Sequence, residues 1–146
     1  MNMSREILFR GKHIHTTDSN EHLNGTWVHG YLSDKNYIND KSLEGEFLVD
    51  KNTICQYTGL TDKNGKKIFE GDIVRYGEIC GEVKFGLHES NWQICKYNQG
   101  FYIEFPKESL YRKELGYWEN KVVVIGNIYD SPKLLEDKEN KHGEDI

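Results

Sequence analysis

Closely spaced turn signals between short apolar runs dominate the stretch from Gln56 to Phe85 and constrain the fold most strongly. Asp62–Gly65 predicts a tight hairpin turn, because an Asn-Gly pair readily adopts the positive φ angles that such turns need. Glu70–Asp72 predicts a second turn only a few residues later. Only short strands fit between such turns, so this stretch indicates a small β-rich domain with a barrel-like core.

Alternating apolar and polar residues predict further short strands along the chain. Pro106–Leu115 and the residues after Ser131 predict short helices, because proline suits the first helical turn. The polar stretch Ser33–Gly45 predicts a long loop. No alternation of strands and helices is apparent, so the expected fold class is mainly β. The predicted strands cover residues 5–10, 26–32, 46–49, 53–57, 67–69, 73–76, 81–85, 91–97, 101–105 and 121–129.

The predicted organisation has three parts. Residues 1–52 form an irregular β-rich and loop part, residues 53–135 form the barrel domain, and residues 136–146 form a charged tail that we expect to be disordered. The net charge of the chain is −5, and the tail alone holds five acidic and two basic side chains. The remaining body is close to neutral, which disfavours a broad electrostatic surface for nucleic acid or anionic lipid.

Cysteine usage and hydropathy favour a cytoplasmic protein. The three cysteines, Cys55, Cys80 and Cys95, form no CxxC pair, so a disulfide framework or a zinc ribbon is not expected. The N-terminus lacks the continuous apolar core of a signal peptide, and no apolar run approaches the length of a membrane span.

Three motifs, taken together, resemble the YopX family of small phage and prophage proteins of uncharacterised function. They are REILFRG near the N-terminus, QYTGLTDKNGKKIFEGDIVRYG followed by GEVKFG in the centre, and VIGNIYDSPKLLED late in the chain. The resemblance implies a phage or prophage origin in bacteria, an SH3-like β-barrel in the C-terminal two-thirds, and no known catalytic residues. Glycines would supply the corners of such a barrel at Gly59, Gly65, Gly71, Gly77 and Gly81.

Isolated acidic, histidine and cysteine residues each allow a chemical interpretation and a structural one. Asp72, beside Glu70, can bind a cation, but an aspartate in a turn more often accepts backbone hydrogen bonds. Cys80 or Cys95 can pair with His88 as a nucleophile, but no known nucleophile motif surrounds either cysteine.

Two histidines of the N-terminal part share a strand face if this segment is extended. His13 and His15 could bind zinc with His22 or His29 as a third ligand, although solvated histidines on a polar face are the expected arrangement. The sequence contains no nucleotide-binding glycine motif. We therefore predict no catalytic residues, no metal and no cofactor.

Aromatic residues are the best candidates for a binding face. Aromatic side chains that line a groove on a small barrel can receive a peptide or stack on bases. The candidates are Tyr76, Trp92, Tyr97, Tyr102 and Trp118, with Tyr117 beside them.

Three hypotheses about function follow. The leading one is a non-enzymatic module that binds a phage or host protein, or its own copies, through a groove or an exposed strand edge. The second is a nucleic-acid-associated barrel with a local basic patch, which the neutral body disfavours. An enzyme is the third, and no constellation of residues supports it. The basic patch comprises Lys63, Lys66, Lys67, Arg75 and Lys84.

Overall fold

A computed structural model describes residues 6–14, 25–89, 97–106 and 112–136 of the chain. Within these ranges the protein is mainly β, as predicted, with ten strands in antiparallel pairing and little helix. The chain divides into two compact units, Met1–Gly59 and Leu60–Ile146. No helix in the described ranges has the length and apolar character required to cross a membrane.

The strands are short apart from β2, β8 and β9. A 3-10 helix spans Lys51–Thr53, helix α1 spans Leu115–Trp118, and residues 133–136 form a last helical turn. The strand bounds are β1 (Phe9–Lys12), β2 (Trp27–Asp34), β3 (Tyr37–Asp40), β4 (Gly45–Leu48), β5 (Cys55–Thr61), β6 (Lys67–Phe69), β7 (Asp72–Tyr76), β8 (Ile79–Glu89), β9 (Tyr97–Glu104) and β10 (Val123–Asn127).

The first unit is an antiparallel sheet in the order β4-β3-β2-β1-β5. Its core is formed by residues that point to one face of this sheet: Val28, Ile38, Phe47 and Val49. Gly30 is required where β2 meets β3, because a Cβ atom there would lie 1.9 Å from the carbonyl oxygen of Asn39. The backbones can therefore approach closely only at a glycine.

The loop predicted for Ser33–Gly45 is wrong, because this stretch contains β3 and the tight turns on either side of it. Ile38 points into the core, and Asp40 organises the turn from β3 to β4 with its buried carboxylate. That carboxylate accepts hydrogen bonds from the backbone N–H groups of His29, Ser42 and Leu43 and from the Ser42 hydroxyl. Polar composition therefore concealed a strand whose polar residues are hydrogen-bonded within the fold.

His13 is a core residue, which corrects the expectation of a solvated side chain. Only 2% of its surface is exposed, and its Nδ1 donates to the carbonyl oxygen of Leu48 at 2.8 Å. Its ring also contacts the ring of Phe47 edge-on. A buried imidazole that donates to a backbone carbonyl supports packing, and His15 and His22 lie outside the described residues.

The second unit contains a four-stranded antiparallel sheet in the order β10-β7-β8-β9 and a hairpin formed by the end of β5 and by β6. Neither sheet of the described chain closes into a barrel, so the SH3-like barrel stays a prediction. The core gathers buried apolar residues from the strands, from α1 and from the residue before β10: Ile68, Val74, Val83, Ile103, Leu115, Trp118 and Val122.

Two of the predicted elements fall partly or wholly outside the described residues. Of the helix predicted at Pro106–Leu115, residues 107–111 are outside, and Glu114 forms an isolated bridge with Tyr102 before α1 begins at Leu115. Of the strand predicted at 91–97, only Tyr97 is described. The helix predicted after Ser131 is confirmed by the turn at residues 133–136.

Asp62 connects the turn between β5 and β6 to β10. Its carboxylate is 1% exposed and accepts hydrogen bonds from the N–H groups of Asn64 and Lys66 at 2.8 Å and of Val124 at 3.0 Å. Burial by itself raises the pKa of this carboxyl, but the three backbone hydrogen bonds outweigh it and lower the pKa below its ordinary value. The ionised carboxylate is therefore part of the folded structure.

Replacing Asp62 with alanine should strongly destabilise the protein. Three partly buried backbone N–H groups would lose a charged acceptor, which we expect to cost about 3 to 5 kcal/mol of unfolding free energy. Chemical denaturation measures this loss. Glu78→Ala, at an exposed position of the same unit, is the control and should change stability by less than about 0.5 kcal/mol. Equal stability of the two variants would contradict the assigned role of Asp62.

The same carboxylate should make stability depend on pH. Because the pKa of Asp62 is lowered in the folded state, its contribution is complete above the unfolded value of 3.8 and is lost as the pH falls through the lowered pKa. The Asp62→Asn variant should therefore lose less stability than the native protein when acidified from pH 5 to pH 2. Parallel acid profiles would contradict this expectation.

Candidate functional site

The β8–β9 hairpin is the longest strand pair and presents two chemically different faces. Its register runs without a shift from the pair Glu82↔Glu104 to the pair Glu89↔Tyr97. Because side chains alternate along a strand, odd-numbered residues of both strands share one face and even-numbered residues share the other. Val83 and Ile103 begin the odd-numbered face in the core, where each is 0% exposed.

Apolar side chains continue along the odd-numbered face past the core and become exposed there. Phe85 is 53% exposed, Leu87 67% and Tyr97 61%, whereas Phe101 is partly buried. The Phe85 and Phe101 rings meet edge-on with centroids 4.9 Å apart. We call Phe85, Leu87, Tyr97 and Phe101 the apolar strip.

The even-numbered face carries the charges. Glu82 and Lys84 of β8 lie opposite Glu104 and Tyr102 of β9, and Lys84 forms an ion pair with Glu104. Burial raises the pKa of Glu82; the positive charge of Lys84 opposes this, and the neighbouring carboxylates add to it. The hydrogen bond that Lys84 donates to the Glu104 carboxylate raises the pKa of Lys84. The hairpin is therefore amphipathic, with its charged groups engaged with one another.

A pair of facing glycines bends the hairpin. Gly86 and Gly100 lie opposite each other with φ angles of 153° and 150°, which other residues rarely adopt. His88 and Tyr102 flank this pair, and in a straight hairpin their Cα atoms would be about 13 Å apart along the strands. Their rings instead stack with centroids 4.6 Å apart.

The bend reverses the usual relation between polarity and burial. On the even-numbered face the bend brings the His88 and Tyr102 rings together, so that His88 is only 6% exposed. Its apolar neighbour Leu87, on the other face, is exposed to solvent. The hairpin thus buries an imidazole and exposes a leucine. An apolar strip that a fold leaves exposed in this way is typical of an interaction surface.

The predicted aromatic residues do not form a single face. Tyr97 belongs to the apolar strip, Tyr102 stacks on His88 on the opposite face, and Trp92 lies outside the described residues. Tyr76 is exposed at the end of β7, and its ring contacts that of Trp118 at 4.9 Å.

Trp118 is part of the core of the second unit. It is 3% exposed, and its indole N–H donates to the carbonyl oxygen of Arg112 at 2.6 Å. The rings of Phe105 and Tyr117 pack edge-on against it. A fully packed indole with its donor satisfied stabilises the fold and offers little surface to a ligand.

The chemical alternatives considered from the sequence do not assemble among the described residues. Cys80 and His88 lie on the same strand, eight residues and roughly 25 Å apart, and Cys95 is outside the described residues. The carboxylate of Asp72 is buried and accepts a hydrogen bond from the N–H of Phe69 at 2.8 Å, which confirms the predicted turn role. Among the described residues, no group of three or more potential ligands could hold a metal ion.

Sequence reasoning missed Phe85 and Leu87 as exposed residues and Phe101 as their partly buried neighbour in the strip. The predicted strand 81–85, in which Val83 and Phe85 alternate with polar residues, ends at Phe85, whereas β8 continues to Glu89. Continuing the same alternation by two residues would have placed Leu87 on the face of Val83. Sequence alone does not reveal that the core ends before Phe85.

The family model described as "YopX protein" matches residues 9–136, which is most of the chain. No curated protein matches the sequence.

The apolar strip should contribute little to folding. Leu87→Lys should change the unfolding free energy by less than about 0.5 kcal/mol because the side chain is mostly exposed. Ile103→Ala, in the buried part of the same hairpin, should cost about 2 to 5 kcal/mol. Chemical denaturation of both variants tests this contrast. A large loss of stability in Leu87→Lys would mean that the strip belongs to the core.

Proposed function

We propose that this chain, which belongs to the YopX family, is a non-enzymatic protein-interaction module that binds protein through the apolar strip. The observation that carries the proposal is the reversed burial along the hairpin, which exposes Leu87 and buries His88. Folding alone gives no reason to leave Phe85, Leu87 and Tyr97 in water, because burying such side chains is favourable. Contact with a protein surface would supply that burial.

The distribution of charge favours a protein partner. The apolar strip carries no charge between Phe85 and Leu87 or between Tyr97 and Phe101, and Glu89 lies at its rim. An apolar centre with charges displaced to the rim is the usual composition of a protein interface.

Several buried acidic groups have structural roles that support a non-enzymatic function. The carboxylates of Asp40, Asp62 and Asp72 each accept backbone N–H hydrogen bonds at a turn. Such groups stabilise loops and are not oriented toward a substrate.

The family resemblance extends the proposal to origin and fold. We propose a phage or prophage protein that acts in the cytoplasm of a bacterial host on a phage or host protein. We also propose that the second unit is an open relative of the SH3-like barrel. The antiparallel sheet formed by β7, β8, β9 and β10, and the one core it shares with the β5–β6 hairpin, support this arrangement.

Association with nucleic acid is the second candidate function. Lys63, Lys66 and Lys67 are exposed in and beside the β5–β6 turn, and Arg75 is exposed on β7. Lys84, the fifth residue of the predicted basic patch, is engaged by Glu104. Four exposed cations could neutralise phosphates, but the overall charge of −5 opposes the approach of a polyanion.

The proposed protein-binding function can be tested with matched baits. The native protein, Leu87→Lys and Tyr31→Lys should be immobilised and exposed to lysates of bacteria that carry the gene. Tyr31 is a suitable control because it is 49% exposed but lies in the first unit. We expect the native and Tyr31→Lys baits to retain one or more proteins that the Leu87→Lys bait loses, as measured by quantitative mass spectrometry. Identical protein profiles for all three baits would contradict the proposal.

The nucleic-acid alternative predicts a steep salt dependence. Four phosphate contacts should weaken binding roughly 100-fold between 50 and 200 mM salt. Fluorescence anisotropy with labelled single- and double-stranded DNA measures this, and a triple variant with Glu at Lys63, Lys66 and Lys67 should bind far more weakly. Absence of binding by the native protein at 50 mM salt would exclude this alternative.

A further inference from the structure

Strand β9 forms one edge of the four-stranded sheet, and only part of that edge is covered in the described chain. The N–H of Ile103 donates to the carbonyl oxygen of Lys113 at 2.8 Å, and Tyr102 bridges to Glu114. Backbone groups alternate in direction along a strand. The N–H and C=O groups of Tyr97, Gln99 and Phe101 therefore point away from β8, as the N–H group of Ile103 does. In the described chain, no strand pairs with this outer edge between residues 97 and 101.

This edge lacks the usual protection against pairing with another chain. Natural edge strands carry charged residues, prolines or bulges that prevent association. Residues 97–103 read YNQGFYI and contain neither a charge nor a proline, and the register with β8 shows no bulge. Two of its side chains, Tyr97 and Phe101, belong to the apolar strip.

We propose that β9 pairs antiparallel with β9 of a second copy of this chain, about a two-fold axis that passes beside Gln99. The inference rests on the proposed function, because it assigns a second copy as one partner of the interaction module. The two four-stranded sheets would then join into one continuous sheet by strand addition.

Hydrogen-bond direction and side-chain chemistry select this register. With the axis at Gln99, Tyr97 lies opposite Phe101 of the second copy, and Gln99 lies opposite Gln99 of the second copy. All of these residues have outward-pointing backbone groups, so the three facing pairs can form about six hydrogen bonds. Each aromatic residue of the edge also meets an aromatic residue, which is a favourable cross-strand pair.

The neighbouring registers are less favourable. An axis at Gly100 would place Tyr97 opposite Ile103, whose N–H already donates to Lys113. An axis at Asn98 would place Tyr97 opposite Gln99 and would remove the aromatic pairing. The axis at Gln99 uses the open edge fully and leaves the Ile103–Lys113 hydrogen bond in place.

The expected dimer is weak and depends on concentration. A five-residue edge with two aromatic side chains buries roughly 400 Å² per copy, about half of the roughly 800 Å² in a standard stable interface. Interfaces of standard size have dissociation constants from micromolar to picomolar, so for this smaller one we expect a value above about 1 μM, roughly tens of micromolar. Screening of the charge of −5 on each copy should strengthen the association as salt is added.

Sedimentation velocity tests whether two copies pair through the β9 edge. The native protein should shift from its monomer mass of 17.1 kDa toward twice that mass as its concentration rises through this range. Gln99→Pro removes one outward N–H and no strip residue, so it should stay monomeric while retaining the native circular dichroism spectrum. Tyr31→Lys should dimerise like the native protein. A monomeric native protein at several hundred micromolar, or a natively folded Gln99→Pro variant that dimerises fully, would overturn the inference.

Engineered cysteines test the register of the β9–β9 pairing independently of the Gln99→Pro variant. Gln99→Cys should form an intermolecular disulfide under mild oxidation, because facing residues of a hydrogen-bonded pair have Cα atoms about 5.5 Å apart. Asn98→Cys is the matched control, since its two copies would be about 8 Å apart, beyond the reach of a disulfide. Both variants should carry Cys80→Ser and Cys95→Ser. Equal crosslinking of the two variants, or none in Gln99→Cys, would contradict the register.

The inference and the proposed function can fail separately. Leu87→Lys alters the strip on β8 and leaves the outer backbone edge of β9 intact. Gln99→Pro removes one outward N–H from that edge and leaves the four strip residues in place. If the native protein is monomeric but the Leu87→Lys bait still loses proteins that the native bait captures, the dimer is disproved and the interaction module is supported. A native dimer with identical bait profiles would disprove binding of other proteins and support self-association.

Discussion

Buried carboxylates that accept backbone N–H groups are the interaction on which this fold depends. Asp62 is the central example, because it orders the β5–β6 turn and also binds the backbone of Val124 in β10. Asp40 organises the β3–β4 turn in the first unit in the same way. A carboxylate is costly to bury, so each aspartate stabilises its turn only where several donors converge. A chain of many short strands depends on its turns, and these groups specify them.

The turns of the second unit were predictable because their chemistry is local. The Asn-Gly pair of the β5–β6 turn requires positive φ at Gly65, and the structure has φ of 81° there. The strand β3 was not predictable, because the partners of Asp40 come from residues distant in sequence as well as near. His13 escaped recognition for the same reason, since its acceptor on Leu48 lies 35 residues away. Local patterns predict turns, whereas burial of polar groups depends on contacts between distant residues.

The candidate site was predicted only in part, because residue type was a poor guide to exposure. Tyr97 was identified and is exposed, but Trp118, chosen by the same criterion, fills the core. Leu87 was overlooked although it is the more exposed side chain. Large aromatic residues serve cores and interfaces alike, so composition alone could not separate them. The position at which β8 and β9 extend past the core decides which side chains are exposed.

The facing glycines connect the scaffold to its proposed surface. Because neither Gly86 nor Gly100 has a side chain, the hairpin can bend there and stack His88 on Tyr102. A bend that closes one face of a two-stranded ribbon must open the other, and the opened face carries Phe85, Leu87 and Tyr97. The same bend leaves the register intact, so the β9 edge keeps its regular row of outward backbone groups. Two glycines thus account for both features that association requires: an exposed apolar strip and a strand edge able to pair.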